Sequence, residues 1–126
     1  MTPRSIAVIG ASSNRRKFGN KCVRAYHEAG WQVFPVNLGS AEPIEGLPTV
    51  RTLAEVPTPV DRISVYLPPP VTLELLPEIE AVGAGEVWFN PGSADAGVLN
   101  DARQRGIPAR PACSIVDIGM SPAQYF

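Results

Sequence analysis

The residues best suited to chemistry lie in one loop near the N-terminus. A short apolar run at residues 6–9 ends at Gly10, and a small polar loop with three consecutive cations at positions 15–17 follows. A helix-like pattern begins directly after it. A strand, a glycine turn and a helix in this order direct backbone N–H groups at a phosphate. The helix start and the cations suit a ligand with several phosphates. The alternative for the basic run is a solvated surface loop.

The same loop departs from the dinucleotide-binding fingerprint, in which three glycines are spaced Gly-x-Gly-x-x-Gly. Ser12 takes the second glycine position, and the third has no glycine. No acid follows the second predicted strand before Glu42, although NAD-binding folds place one there for the ribose hydroxyls. No basic residue for NADP is present in that neighbourhood either. The pattern favours an adenine nucleotide whose additional phosphate is placed differently.

Two other segments follow predicted strands. Val65-Tyr-Leu-Pro68-Pro69-Pro70 has a rigid, extended backbone that lacks several N–H groups. It could form a flat apolar wall for an adenine ring or an alkyl arm, or it could simply connect a strand to a helix that begins near Pro70. Asn90-Pro91-Gly92-Ser93 follows the fourth predicted strand and is ambiguous in the same way, because it could border the site or be an ordinary turn.

The remaining reactive side chains predict no catalytic apparatus and no metal site. His27 is the only histidine, and it lies about half a turn from Phe18 on the first helix, so we expect it to face solvent. Cys22 falls on the apolar face of that helix and is expected in the core. Cys113 follows the fifth predicted strand near the proposed site, where a thiol role stays open. The two cysteines have neither a metal-ligand spacing nor a disulfide framework.

The elements that position these residues alternate between strand and helix. Strands are predicted at residues 5–9, 31–36, 60–67, 86–89 and 107–112, and residues 38–59 are predicted as loop with a helical turn at 53–56. Apolar stripes at helical spacing predict three helices. The first stripe is formed by Phe18, Cys22, Ala25, Tyr26 and Ala29, and the second by Leu75, Leu76, Ile79 and Val82. The third helix is predicted near residues 95–105. Alternation of this kind predicts an α/β, Rossmann-like, doubly wound sheet of five parallel strands with helices on both faces. We expect the strand order 3-2-1-4-5.

Composition limits the class of protein. A length of 126 residues with 44% hydrophobic content predicts a single soluble domain over residues 1–126. The net charge of −1 provides no broad basic field for nucleic acid. No apolar run reaches the length of a membrane span, and the N-terminal run is too short for a signal peptide. We expect a cytoplasmic protein that binds neither nucleic acid nor membrane.

Taken together, these segments resemble the small stand-alone CoA-binding proteins, whose single domain is similar to the N-terminal domain of the succinyl-CoA synthetase α subunit. The resemblance rests on Gly10-Ala-Ser12 with Lys17 and Gly19, on Phe34-Pro-Val-Asn37, and on residues 65–70. It implies coenzyme A with its phosphates on the first loop and its adenine between the ends of strands 2 and 3. The chain lacks the lysine that the synthetase pattern carries after strand 2, and Asn90 replaces an acid after strand 4.

The predicted function is therefore the binding of coenzyme A or an acyl-CoA without catalysis by the chain itself. The alternatives are an NAD(P)-binding sensor or oxidoreductase domain and a partner-dependent subunit of an acyl-CoA ligase. The sequence leaves a protein partner or a homo-oligomer open. The predicted ligand-binding residues are Gly10, Ser12, Ser13, Arg16, Lys17, Phe18, Gly19, Val36, Asn37, Leu67, Pro68, Pro69, Asn90 and Pro91.

Overall fold

The computed structural model describes residues 3–57 and 59–126. The sheet has five parallel strands, β1 (Ser5–Ile9), β2 (Gln32–Val36), β3 (Arg62–Val65), β4 (Glu86–Phe89) and β5 (Ala109–Arg110). The helices are α1 (Phe18–Glu28), α2 (Pro69–Val82), α3 (Ala96–Gln104) and α4 (Ser114–Asp117), with single 3₁₀ turns at Leu53–Glu55 and Pro122–Gln124. The predicted α/β, Rossmann-like fold is confirmed. No helix of the described chain is long and apolar enough to cross a membrane.

Apolar cores lie on both faces of the sheet because successive strand side chains point to opposite sides. In β1, Ala7 and Ile9 pack with α2, α3 and the first 3₁₀ turn. Ile6 and Val8 pack with α1 and α4 on the other face. Burial on both faces is typical of parallel sheets.

The predicted strand order is wrong. The sheet order is β2-β1-β3-β4-β5, so β3 pairs with β1 and not with the outer edge of β2. At that outer edge Val50 is the one described residue that pairs with β2, in an isolated parallel bridge opposite Val36. The N–H of Val50 donates to the carbonyl of Pro35 at 3.2 Å, so this carbonyl faces the outer edge of β2. The nitrogen of Pro35 faces the same edge, and it has no hydrogen to donate. Another strand paired at this edge would lack one backbone hydrogen bond. β3 instead pairs with the free edge of β1.

Most predicted elements are present with shorter bounds. β3 and β5 lose residues at both ends, and prolines 108 and 111 flank the two-residue β5. The helical turn in the predicted loop is the 3₁₀ turn at Leu53–Glu55, and the part of that loop at Thr58 lies outside the described residues. Cys22, Ala25 and Tyr26 of α1 are fully buried as predicted. Phe18 and Ala29 are instead exposed; Phe18 is the first residue of α1, and Ala29 follows its last residue.

Candidate functional site

A cleft of about 840 Å³ lies at the carboxyl ends of β1, β3 and β4. The connection after β1 enters α1 on one face of the sheet, whereas the connection after β3 enters α2 on the other face. A crevice forms where neighbouring connections separate in this way. The cleft is lined by Gly10, Ala11, Ser12, Arg16, Lys17, Phe18, Gly19, Asn37, Leu38, Gly39, Tyr66, Leu67, Pro68, Pro69, Pro91, Gly92 and Ser93.

Two glycines bring the start of α1 against the end of β1. Gly10 has a φ of 87°, and a Cβ atom there would collide with the carbonyl oxygen of Tyr66. A Cβ atom at Gly19 would collide with the carbonyl oxygen of Gly10. The backbone at the start of the helix therefore lies close to the end of the strand, which is what the glycines of the dinucleotide fingerprint allow at a different spacing.

The first turn of α1 presents free backbone donors to the cleft. Within residues 3–57 and 59–126, no protein atom accepts a hydrogen bond from the N–H groups of Phe18 and Gly19. The exposed side chains of Arg16 and Lys17 form no ion pair with any described residue. Free N–H groups at a helix start, flanked by cations, bind anions.

The loop that carries these donors is held from the helix. The buried Asn20 donates from Nδ2 to the carbonyl of Ser12 at 2.8 Å, and its Oδ1 accepts from Arg24 Nε at 2.7 Å. Arg24 Nη2 donates to the carbonyl of Arg15 at 2.9 Å. The side chain of Arg15 lies 3.5 Å from the Glu45 carboxylate, so this cation already has a partner.

Asn37 connects the two loops that border the cleft. Its Nδ2 donates to the carbonyl of Ala11 at 3.0 Å, and its Oδ1 accepts from the N–H groups of Gly39 and Ser40 at 2.8 and 3.0 Å. Because these atoms already have protein partners, Asn37 positions the walls of the cleft in addition to lining it.

Apolar side chains form the rest of the walls. Phe18 is 56% exposed and Leu38 is 38% exposed, which is high for side chains of this size. Across the cleft, Leu67 and Pro68 lead into α2, which begins at Pro69. Apolar walls around a small number of polar groups are typical of ligand sites.

The structure places eleven of the predicted ligand-binding residues on the cleft lining and three elsewhere. Val36 is fully buried in β2, where its carbonyl accepts the N–H groups of Gly10 and Ala11. Asn90 is also buried, and its amide donates to Ser64 Oγ at 2.8 Å while its Oδ1 accepts from the N–H of Ser114 at 2.8 Å. Ser13 is exposed outside the lining. Contact of each residue with a ligand stays a prediction.

The predicted ligand-binding residues do not include six others that also line the cleft, Ala11, Leu38, Gly39, Tyr66, Gly92 and Ser93. Each lies within two positions of a predicted residue at a strand end, and this proximity in the sequence was the available signal. Tyr66 lines the cleft, and its hydroxyl lies 3.5 Å from Ser114 Oγ. Burial raises the pKa of Tyr66 well above its ordinary value, so this phenol is protonated at neutral pH.

The reactive side chains lie away from the cleft. His27 is exposed on α1, as predicted. Cys22 is buried beside Ser64 and Ser114, and burial raises its pKa to about 11, so it is not a thiolate at neutral pH. Cys113 is half-buried and packs in the core on the α1 face. The cleft lining contains no histidine, cysteine or carboxylate, and the described residues contain no group of side chains that could hold a metal ion.

The fold and the cleft define a small nucleotide-binding domain. Residues 4–119 match the model of a CoA binding domain, and the chain belongs to that family. It is 32% identical over 97 residues to the α subunit of an ADP-forming acetate–CoA ligase II of Pyrococcus furiosus. It is 28% identical over 100 residues to a trans-feruloyl-CoA synthase of an unknown prokaryotic organism.

These stretches cover 75% and 77% of this chain but only 21% and 14% of the two curated relatives. The chain therefore spans a small part of the length of each relative.

Solved structures of small proteins, and part of a larger one, have the same fold. A conserved hypothetical protein of Pyrococcus furiosus has a TM-score of 0.82 and 32% identity, with 90% of this chain and 98% of that chain covered. A Thermus thermophilus protein has a TM-score of 0.83 and 30% identity, with 93% and 89% covered. The acetyl-coenzyme A synthetase 1 of Ca. Korarchaeum cryptofilum, at 22% identity and a TM-score of 0.73, contains the fold in 26% of its chain.

Proposed function

We propose that this chain binds coenzyme A, or an acyl-CoA, in the cleft at the carboxyl ends of its strands. The observation that carries the proposal is the set of free donors at the start of α1. Within the described chain, no protein atom accepts a hydrogen bond from the N–H groups of Phe18 and Gly19. The cations Arg16 and Lys17 line the same cleft and have no ion-pair partner there. A pyrophosphate is an anion of matching charge, and membership of the CoA binding domain family supports this choice of ligand.

The rest of the ligand has matching surfaces. The adenine would lie between the ends of β2 and β3, where Leu38 and Pro68 offer apolar contacts. The pantetheine arm would follow the remaining apolar wall at Leu67 and Pro69. The volume of about 840 Å³ lies in the range of small-molecule sites.

Titration calorimetry and thermal unfolding with CoA test this proposal. At about 100 times its dissociation constant a ligand stabilises the fold by about 2.7 kcal/mol, so the melting temperature should rise by several degrees. Absence of both binding heat and a thermal shift at millimolar CoA would contradict it. Mass spectrometry of the protein purified under native conditions would identify any acyl group on a retained ligand.

The proposal includes no catalysis by the chain alone. A cleft lining without histidine, cysteine or carboxylate lacks the usual groups for general acid–base or nucleophilic chemistry.

The names of the relatives favour a second candidate function, a CoA-binding component that acts with other domains of an acyl-CoA ligase. Incubation of the chain with acetate, ATP and CoA should yield no acetyl-CoA, and its formation would contradict the non-catalytic proposal. Two free cysteines support a cytoplasmic location as part of the proposal.

A further inference from the structure

A second, shallower groove continues the cleft beyond the end of β2. Its volume is about 530 Å³, and it is lined by Gly39, Ser40, Ala41, Glu42, Pro43 and Arg51. Gly39 lines both the groove and the cleft. A ligand that fills the cleft as far as the end of β2 can therefore extend into this groove.

The fold brings Arg51 to the groove by way of Val50. The N–H of Asn37 donates to the carbonyl of Val50 at 2.9 Å, and Val50 forms the isolated bridge with Val36. Arg51 follows directly, so the long connection between β2 and β3 supplies a cation at the end of β2. The residues that immediately follow β2 in the sequence contain no cation, which is why sequence reasoning found none there.

The guanidinium of Arg51 is exposed, and within the described ranges it forms neither a side-chain hydrogen bond nor an ion pair. Glu42 lines the same groove, yet its carboxylate is not within 4.0 Å of this guanidinium. A free guanidinium presents a planar set of donors that matches the oxygens of a phosphate.

We propose that the groove binds the phosphate that coenzyme A carries on its adenosine ribose, and that Arg51 recognises this phosphate. The inference rests on the proposed function, because it assumes that the pyrophosphate lies at the start of α1 and the adenosine at the end of β2. Because Gly39 lines both the cleft and the groove, a ribose at the end of β2 can place its phosphate in the groove with Arg51. The carboxylate of Glu42 opposes its binding and limits the affinity.

The test compares CoA with dephospho-CoA, which lacks only the ribose phosphate. Titration of the unmodified chain should show CoA binding about tenfold more tightly, a difference that corresponds to about 1.4 kcal/mol. Arg51→Ala should remove this preference by weakening CoA alone. Glu42→Gln should strengthen CoA and leave dephospho-CoA unchanged. Arg103→Ala, which alters an exposed arginine on α3, is the matched control and should change neither affinity.

The outcomes separate the two proposals. Equal affinity of the unmodified chain for both ligands, or an Arg51→Ala variant that keeps its preference for CoA, would overturn this inference and leave the CoA-binding proposal intact. Equal weakening of both ligands by Arg51→Ala would also overturn it. Failure of the unmodified chain to bind either ligand would overturn the proposed function and this inference together. The melting temperature of each variant without ligand establishes that it is folded.

Discussion

Three consecutive cations in the β1–α1 loop differ in their surroundings. Arg15 has Glu45 as a partner, whereas Arg16 and Lys17 line the cleft and form no ion pair in the part of the chain that the structure describes. Only the latter two can offer their full charge to a ligand. The loop is therefore not a uniform basic patch.

Lys17→Glu should weaken CoA binding at least tenfold. A hydrogen bond to a charged group contributes roughly 1.5–3 kcal/mol, and the substitution also places an anion beside the phosphates. The fold should persist, because a carboxylate beside the start of a helix is favourable. Calorimetry at several salt concentrations should also show a flatter salt dependence. Arg110→Glu on the edge strand is the control, and unchanged CoA affinity in Lys17→Glu would mean that this lysine is only solvated.

The buried thiol of Cys22 predicts a loss of stability at high pH. Burial raises its pKa from 9.0 to about 11, so the folded chain holds this proton more tightly than the unfolded chain does. The resulting stabilisation is fully present below pH 9 and is lost as the pH rises through about 11. Denaturant unfolding across this range should show a falling free energy of unfolding, with a shallower slope in Cys22→Ala.

The reactivity of the two cysteines provides an independent check of this burial. In the native chain a thiol reagent at neutral pH should modify Cys113, which is half-buried, well before Cys22. Both should react in denaturant. Modification of Cys22 at the same rate as Cys113 would contradict the buried environment.

At the scale of elements, the contact between α1 and β1 depends on the absence of a side chain at Gly19. Gly19→Ala should destabilise the chain by roughly 1–3 kcal/mol, because the added methyl group meets the backbone of Gly10 and the helix must shift. Alanine favours a helix over glycine by about 1 kcal/mol, so helix propensity alone predicts the opposite sign. Denaturant unfolding measures the difference.

Gly97→Ala in α3 is the matched control. A Cβ atom there is 3.4 Å from its nearest neighbour, Asp95 Oδ1, and meets no backbone from another element. This variant should be neutral or up to about 1 kcal/mol more stable. Stabilisation of both variants would show that the approach of α1 to β1 is looser than the structure describes.

Elements with local signals could be predicted from the sequence, whereas their arrangement could not. The turn from β1 into α1 follows from Gly10 and the polar residues after it. The strand order depends on which edge of β2 the nitrogen of Pro35 faces. That direction follows from the pairing of β2 with β1 and with Val50, which are distant in the sequence. In the site, Asn90 follows a strand end as predicted, yet its side chain turns into the core toward Ser64. Arg51 was missed because only the Val50 bridge brings it to the end of β2.

At the scale of the whole molecule, the cleft predicts a choice between cofactors. CoA should bind at least tenfold more tightly than NAD or NADP, a difference of about 1.4 kcal/mol or more. NAD lacks the ribose carboxylate contact that its usual folds provide, because no carboxylate among the described residues lines this cleft. Both dinucleotides also carry a second nucleoside, whereas the corresponding part of CoA is a flexible arm that can follow an apolar wall.

The ranking of the two dinucleotides tests the same geometry. Arg51 offers a cation to the ribose phosphate of NADP as well, so NADP should bind more tightly than NAD while remaining weaker than CoA. Competition titration with a fixed concentration of CoA measures all three ligands in one series. Displacement of CoA by NAD at equal concentration would mean that the cleft is a dinucleotide site, since NAD gains nothing from Arg51 and could succeed only through contacts with its second nucleoside.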